Sequence, residues 1–556
     1  MRSDLFSVLM VLAALAGCPG AGAGIGDPCG GNDDCGGALQ CLNGRCAPHC
    51  DRAPECGDGY ACVDGACVAA HFGKGDTCHS EVDCVAGMTC QINGAEVDLD
   101  NRLFSSCQLE NPAGRATGAA CDADDDCRNG ACDLGHCVDV CRESSDCPVG
   151  TTCLAIPRVS VGGLFYSGCL QSSGIISWQI PVASPSAQIL LPVPSEAQAA
   201  ELVMSVDDPT QKVGAEGVLD PCGCTRYTVP CEFLGASDPN CTELAANDQY
   251  YSQAPGSDTG GGNATGSDNA NCTANPVCED HPGPVLNHIR HLPALGRSVL
   301  LMPSIPRQGE LKQGAYRMQI SSFWPDNSHG SAIPHVTAAV RIGAGEVLEL
   351  HFFFVDLTDH PCLALPGNAT LNAASAVSAA LFHTDYLGAL QSGFGHAGIR
   401  VVDASYDNIT NRHALDGLDV SDIGALFAQG RYATGINVFF VRSLSPIGTE
   451  VFGPNPGPAG LARTGESGIV ISADTLCYRD WSAMAQLTLH ALARYMGLYH
   501  NVEPRDPSQP PGAARWADLV PDSDDSPSNL LYPSARGGLD LSNLQHNTLI
   551  WSPVLE

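Results

Sequence analysis

The residues best able to do chemistry lie in Thr488-Leu489-His490-Ala491-Leu492-Ala493-Arg494-Tyr495-Met496-Gly497-Leu498-Tyr499-His500. Two histidines four residues apart on a helix share one face. A glycine then lets the chain turn off the helix, and a third histidine can return to the same point, so that three imidazoles hold a zinc ion. A glutamate directly after the first histidine activates the water that such an ion binds. His490, Gly497 and His500 stand in that register. Ala491 occupies the glutamate position and accepts no proton. Arg494, a permanent cation, occupies the second-ligand position, where a dication would sit.

Those two exceptions aside, the run resembles the H-E-x-x-H-x-x-G-x-x-H signature of the metzincin zinc metallopeptidases. Farther on, Pro521-Asp522-Ser523-Asp524-Asp525-Ser526-Pro527-Ser528-Asn529-Leu530-Leu531-Tyr532-Pro533 resembles the Asp-rich loop and Asn-Leu-Met turn of the same family. Leu531 stands at the methionine position and keeps a similar volume. Leu544 to Leu549 with Trp551 supply the C-terminal helix expected to cover that turn. The resemblance implies an α/β zincin-like domain over 346–556 that has lost its catalytic residues. It further implies His490 and His500 as residual zinc ligands, no cofactor, and a cleft that binds a protein or peptide without cutting it.

Two alternatives stand beside this reading. In one, an active zinc endopeptidase with a rearranged site recruits His490, His500 and a carboxylate such as Asp524 or Glu503, although two imidazoles beside Arg494 bind zinc poorly. In the other, the chain is a structural or adhesive surface protein. The Asp522 to Asp525 run lacks the alternating register of a calcium loop and reads as a solvated acidic loop.

The elements that must position the motif are legible as alternating apolar runs. Val347 to Val355, Gly398 to Val402, Ile436 to Val441 and Gly468 to Ser472 read as strands, with helical stretches near 373–392 and over 480–497. Residues 171–345 read as a β-sandwich, from Ala187 to Val193, Ser298 to Met302 and Gln313 to Ile320. A Gly/Asn/Ser/Asp-rich insertion near Ser257 to Asn271 is bracketed by Cys222, Cys224, Cys231, Cys241, Cys272 and Cys278. His288 and His291 have no companion ligand there and read as structural.

Between Cys29 and Cys169 lie twenty cysteines in five half-units. Cys29, Cys35, Cys41 and Cys46 share the spacing C-x5-C-x5-C-x4-C with Cys50, Cys56, Cys62 and Cys67, and three further groups vary it. Few large apolar residues separate them, so disulfides must substitute for a hydrophobic core over 18–170. Pairing is not readable from spacing. The modules resemble those repeated in surface lipoproteins of myxobacteria and their relatives, where they act as spacers.

Residues 1–17 read as a signal peptide, with Arg2 before an apolar run from Leu5 to Leu15 that is too short to span a bilayer. Leu15-Ala16-Gly17-Cys18 resembles the lipobox of bacterial lipoproteins. That implies a lipid anchor on Cys18, hence a membrane partner and an outer-membrane or cell-surface location, with secretion as the alternative. Of 29 cysteines, 28 remain without Cys18, an even number suited to an oxidising compartment. The formal charge of −34 repels phosphate backbones, so nucleic acid is excluded as a partner. The expected fold class is therefore multidomain: disulfide-rich modules, a β-sandwich, then an α/β metzincin-like domain.

Overall fold

In a computed structural model, which describes most of residues 74–221 and 294–556 with short segments within 30–69 and at 225–228, the cysteine half-units fold as small hairpins. The third and fourth cysteines of a half-unit face each other across the hairpin, as Cys90 faces Cys107 and Cys132 faces Cys137. In the three half-units whose bridges are described, the first cysteine bonds the third and the second bonds the fourth. Cys78–Cys90 pairs with Cys84–Cys107, Cys121–Cys132 with Cys127–Cys137, and Cys141–Cys153 with Cys147–Cys169. Each bridge contributes about 2–4 kcal/mol by restricting the unfolded chain.

The residue before the second cysteine has its own role. Asp83, Asp126 and Asp146 each accept two backbone N–H groups from the turn just upstream, at 2.7–3.2 Å. Asp34 does the same for Gly30 at 2.8 Å. Part of the acidity of this region is therefore turn-closing chemistry.

The chain divides into two units, one formed by residues up to 154 with 166–171, the other by 155–165 with 172–556. The second is mostly β-sheet. Its first sheet is antiparallel and orders β1 (Ile175–Ile180), β7 (His335–Ile342), β3 (Ala197–Ser205) and β5 (Arg297–Met302). A second antiparallel sheet orders β2 (Ser186–Val193), β6 (Gly314–Phe323), β4 (Lys212–Leu219) and the short strand Thr225–Thr228.

The third sheet orders β9 (Arg400–Ile409), β8 (Val347–Val355), β10 (Ile436–Val441), β12 (Ile469–Ser472) and β11 (Val451–Phe452). β8 lies parallel to β9 and β10, β10 parallel to β12, and only the edge strand β11 is antiparallel. A parallel sheet covered on both faces needs strands that are apolar on both sides. β8 meets that demand: Leu348, Leu350, Phe352 and Phe354 enter one core, while Phe353 and Val355 enter the other.

The first of those cores also takes in helices α1 (Gly388–Gly395) and α2 (Trp481–Tyr495), and α3 (Asn543–Ile550) closes the chain. The helical stretch expected near 373–392 is not one helix. It is a short turn at Ala373–Ala376, a π-helical segment at Phe382–Leu387, and then α1. The wider segment seats Phe382 and Tyr386 among Phe352, Phe440 and Trp481. Cys362 and Cys477 are bonded across a separation of 115 residues, tying the segment after β8 to the turn before α2.

Candidate functional site

Helix α2 begins at Asp480, whose carboxylate accepts the Ala483 N–H at 2.8 Å. It is buried nearly all round, as a helix apolar on every face must be. It ends in a Schellman motif, with Gly497 N–H bonded to Arg494 O and Leu498 N–H to Ala493 O. Gly497 has φ +108°, and a Cβ there would lie 2.4 Å from Leu301 Cδ2 of β5. Both conformation and space require glycine.

After that turn, the Asn501 N–H bonds to Leu531 O at 3.2 Å, which draws the returning chain against the segment 529–532. There Asn529 Oδ1 accepts the Leu531 N–H at 2.9 Å, and Asn529 Nδ2 donates to Gln545 Oε1 of α3 at 2.9 Å. Ser542 and Gln545 form the capping box of α3, so the first turn of the last helix holds the turn under α2. Leu531 is fully buried.

His490 and His500 meet over this turn, with their Nε2 atoms 3.1 Å apart. His490 Nδ1 lies 2.7 Å from Leu530 O. A carbonyl only accepts, so Nδ1 carries the proton and the Nε2 lone pair faces His500, whose Nε2–H is the donor. His490 is 7% exposed. Burial pushes its imidazole down to about 4; the bond to Leu530 opposes the shift and the Arg494 charge adds to it. His490 is thus neutral and locked in one tautomer.

A histidine whose second nitrogen is held by a carbonyl is oriented as a metal ligand is. Two imidazoles on one tetrahedral ion place their nitrogens roughly 3.3 Å apart, close to the spacing here. The donor set as a whole does not fit a hydrolytic zinc centre. Ala491 is buried and apolar, and Arg494 stands one helical turn after His490. Among the described residues no third His, Cys, Asp or Glu ligand atom joins the pair. Glu503 lies on the strand Val502–Pro504, with its side chain outside the described residues. Asp522 to Asp525, His288, His291 and Cys18 also lie outside them.

The other group of mixed ligand type, His360, Cys362 and Asp474, is structural. Its cysteine is in a disulfide, and His360 Nε2 faces Arg442 O at 3.1 Å and Asp474 Oδ1 at 3.2 Å. Among the described residues no helix is long and apolar enough to cross a membrane.

Sequence reasoning did not find the partner of Tyr495, the last residue of α2, nor a buried glutamate of the first sheet. Tyr495 Oη lies 2.5 Å from Ser467 Oγ, and Gly457 lies against the Tyr495 ring. Glu201 of β3 is 1% exposed, takes a hydrogen bond from the Ala459 backbone, and is held well above the usual carboxylate range by burial. The available signal was a lone carboxylate in the apolar run Ala197–Ser205.

No family model matches the chain. A stretch of 106 residues, 18% of the chain, is 32% identical to a turripeptide OL55-like protein of Lophiotoma acuta and covers 96% of it. Among solved structures, a serine protease of Aeromonas sobria aligns with 30% of the chain at 9% identity and a TM-score of 0.12. The chain spans about a quarter of that protease, 26% of its length.

Proposed function

We propose, for a chain of which one stretch belongs to the family of the turripeptide OL55-like protein, that the whole is an exported cell-surface lipoprotein. In this reading Cys18 carries the lipid, the cysteine modules act as a spacer, and the body presents an inactive metzincin-like domain that binds a protein or peptide segment.

The observation that carries the proposal is the pairing of a retained frame with missing chemistry. His490 is held by Leu530 O, His500 is brought back to it, and the Asn529 turn is braced by Gln545. Ala491 and Arg494 stand where the water-activating base and the second ligand would be needed. Without that base, a bound water gains no acceptor for its proton. The disulfide pairs support an oxidising compartment.

The test is to incubate the full chain, with added zinc, with a pool of quenched fluorescent peptides. Binding is followed by anisotropy and cleavage by dequenching. The proposal expects saturable binding without cleavage. Chelator-sensitive cleavage would establish the rearranged enzyme instead, and absence of binding would favour a structural role.

A further inference from the structure

The bridge between Cys362 and Cys477 stands apart from the other described bridges in its exposure. Every cysteine of the six module bridges is buried or half-buried. Cys362 is fully buried in the first core of the parallel sheet, whereas Cys477 is exposed. The bridge ties the turn Pro361–Ala364 to the turn Ala473–Cys477, and Asp480, the N-cap of α2, follows shortly after. On the buried side, acceptors for a thiol are already in place. Cys362 Sγ lies 3.8 Å from both the carbonyl oxygen and Oδ1 of Asp474. His360 Nδ1 accepts the Cys362 N–H at 3.3 Å, so its proton sits on Nε2, which faces Asp474 Oδ1 at 3.2 Å. Exposed bridges are the labile and regulatory ones, while enclosed bridges resist reduction.

We propose that this bridge is a thiol-exchange site, opened from solvent at Cys477 by an external dithiol, and that its opening releases the start of α2. A thiolate of the reductant attacks Cys477 Sγ in line with the S–S bond, from the side away from the buried Cys362. That bond breaks, its electron pair leaves on Cys362 Sγ, and Cys362 takes up a proton and donates it to Asp474. The reductant's second thiolate then attacks its own sulfur in the mixed disulfide and releases Cys477, which is protonated in turn. The dithiol is oxidised to its disulfide and the protein gains two thiols, so electrons and protons balance. Opening frees the turn Ala473–Cys477 from the segment after β8, and with it the approach to the Asp480 cap. This proposal does not depend on whether a peptide binds beside His490.

The test is graded reduction of the full chain by dithiothreitol without denaturant, with free thiols alkylated at each step and assigned by peptide mass spectrometry. Cys362 and Cys477 become alkylated together, at roughly a tenth or less of the reductant that opens Cys78–Cys90, Cys121–Cys132 or Cys141–Cys153. Hydrogen exchange in that state rises at Ala483 and Met484, whose amides Asp480 holds, while the amides of β8 stay protected. Reduced glutathione, a monothiol, leaves its adduct on Cys477 and not on Cys362. Reduction of the module bridges first or together with this one overturns the proposal, as does an adduct on Cys362. So does opening that leaves Ala483 and Met484 as protected as before, or that strips protection from β8 as well, since the release would then not be confined to α2.

Discussion

Replacing Gly497 with alanine tests how α2 is joined to the first sheet, and the cost has two separable parts. At φ +108° an L side chain pays roughly 1–2 kcal/mol in backbone strain. The new Cβ would also overlap Leu301 Cδ2 at 2.4 Å, and overpacking of this kind costs about 1–3 kcal/mol. Gly497→Ala should therefore destabilise the chain by roughly 2–5 kcal/mol. Leu301→Ala, which opens a cavity, costs about 2–5 kcal/mol by itself. In the Leu301→Ala background only the backbone part of the Gly497→Ala cost remains, so the pair should couple by roughly 1–3 kcal/mol. Urea unfolding of the four chains, followed by tryptophan fluorescence, measures the cycle. Additive costs would refute the Gly497 to Leu301 contact, and a neutral Gly497→Ala would refute the turn geometry that brings His500 back to His490.

Three further outcomes follow from named contacts. Because the His490 imidazole is depressed to about 4 against an ordinary value near 6.5, the unfolded chain binds its proton first. The stability this group contributes is therefore full above pH 6.5 and is lost as pH falls from there to about 4, a loss of about 3 kcal/mol; His490→Gln should remove that part of the pH dependence, and an unchanged slope would contradict it. Leu531→Met should cost less than about 1.5 kcal/mol, while Leu531→Ala costs about 2–5 kcal/mol, since the side chain is fully buried; equal midpoints for the two would show that the turn is not packed. Replacing both Cys362 and Cys477 with alanine should cost about 2–5 kcal/mol, because the bridge closes a long loop, and an unshifted melting temperature would show that it does not form.

The strands of the parallel sheet were legible because burial on both faces leaves mostly apolar runs, interrupted by Glu349 and His351 in Val347–Val355 and by Asn437 in Ile436–Val441. Val347–Val355 and Ile436–Val441 fall where the residues place them. The sheet-forming segments Ala197–Ser205 and Lys212–Leu219 were harder to see, since alanines and glycines blur the alternation. The helical stretch from 373 is divided into a short turn, a π-helical segment and α1, a break that carries no signal in the spacing of its apolar residues, since Phe382 and Tyr386 would share one face of a regular helix as well.

For the candidate site, the spacing put His490, Gly497 and His500 in one register, and the structure sets the two imidazoles 3.1 Å apart. The spacing did not reveal Leu530 as the holder of His490, because a carbonyl carries no sequence signal. Nor did it give the disulfide pairing. That follows from hairpins that set the third and fourth cysteines face to face, leaving each to reach back to an earlier partner. Nor did the spacing show that the aspartates before the second cysteines close turns.

The central claim is that the frame of a zinc site persists without its chemistry. The most direct test is zinc content by native mass spectrometry, with chelator competition, on the full chain and on the Ala491→Glu, Arg494→His double variant. The full chain is required, because Leu301 and Glu201 of the first sheet pack against the segments around α2. The account predicts no stoichiometric zinc in wild type and one zinc in the double variant. One tightly held zinc in wild type would contradict it.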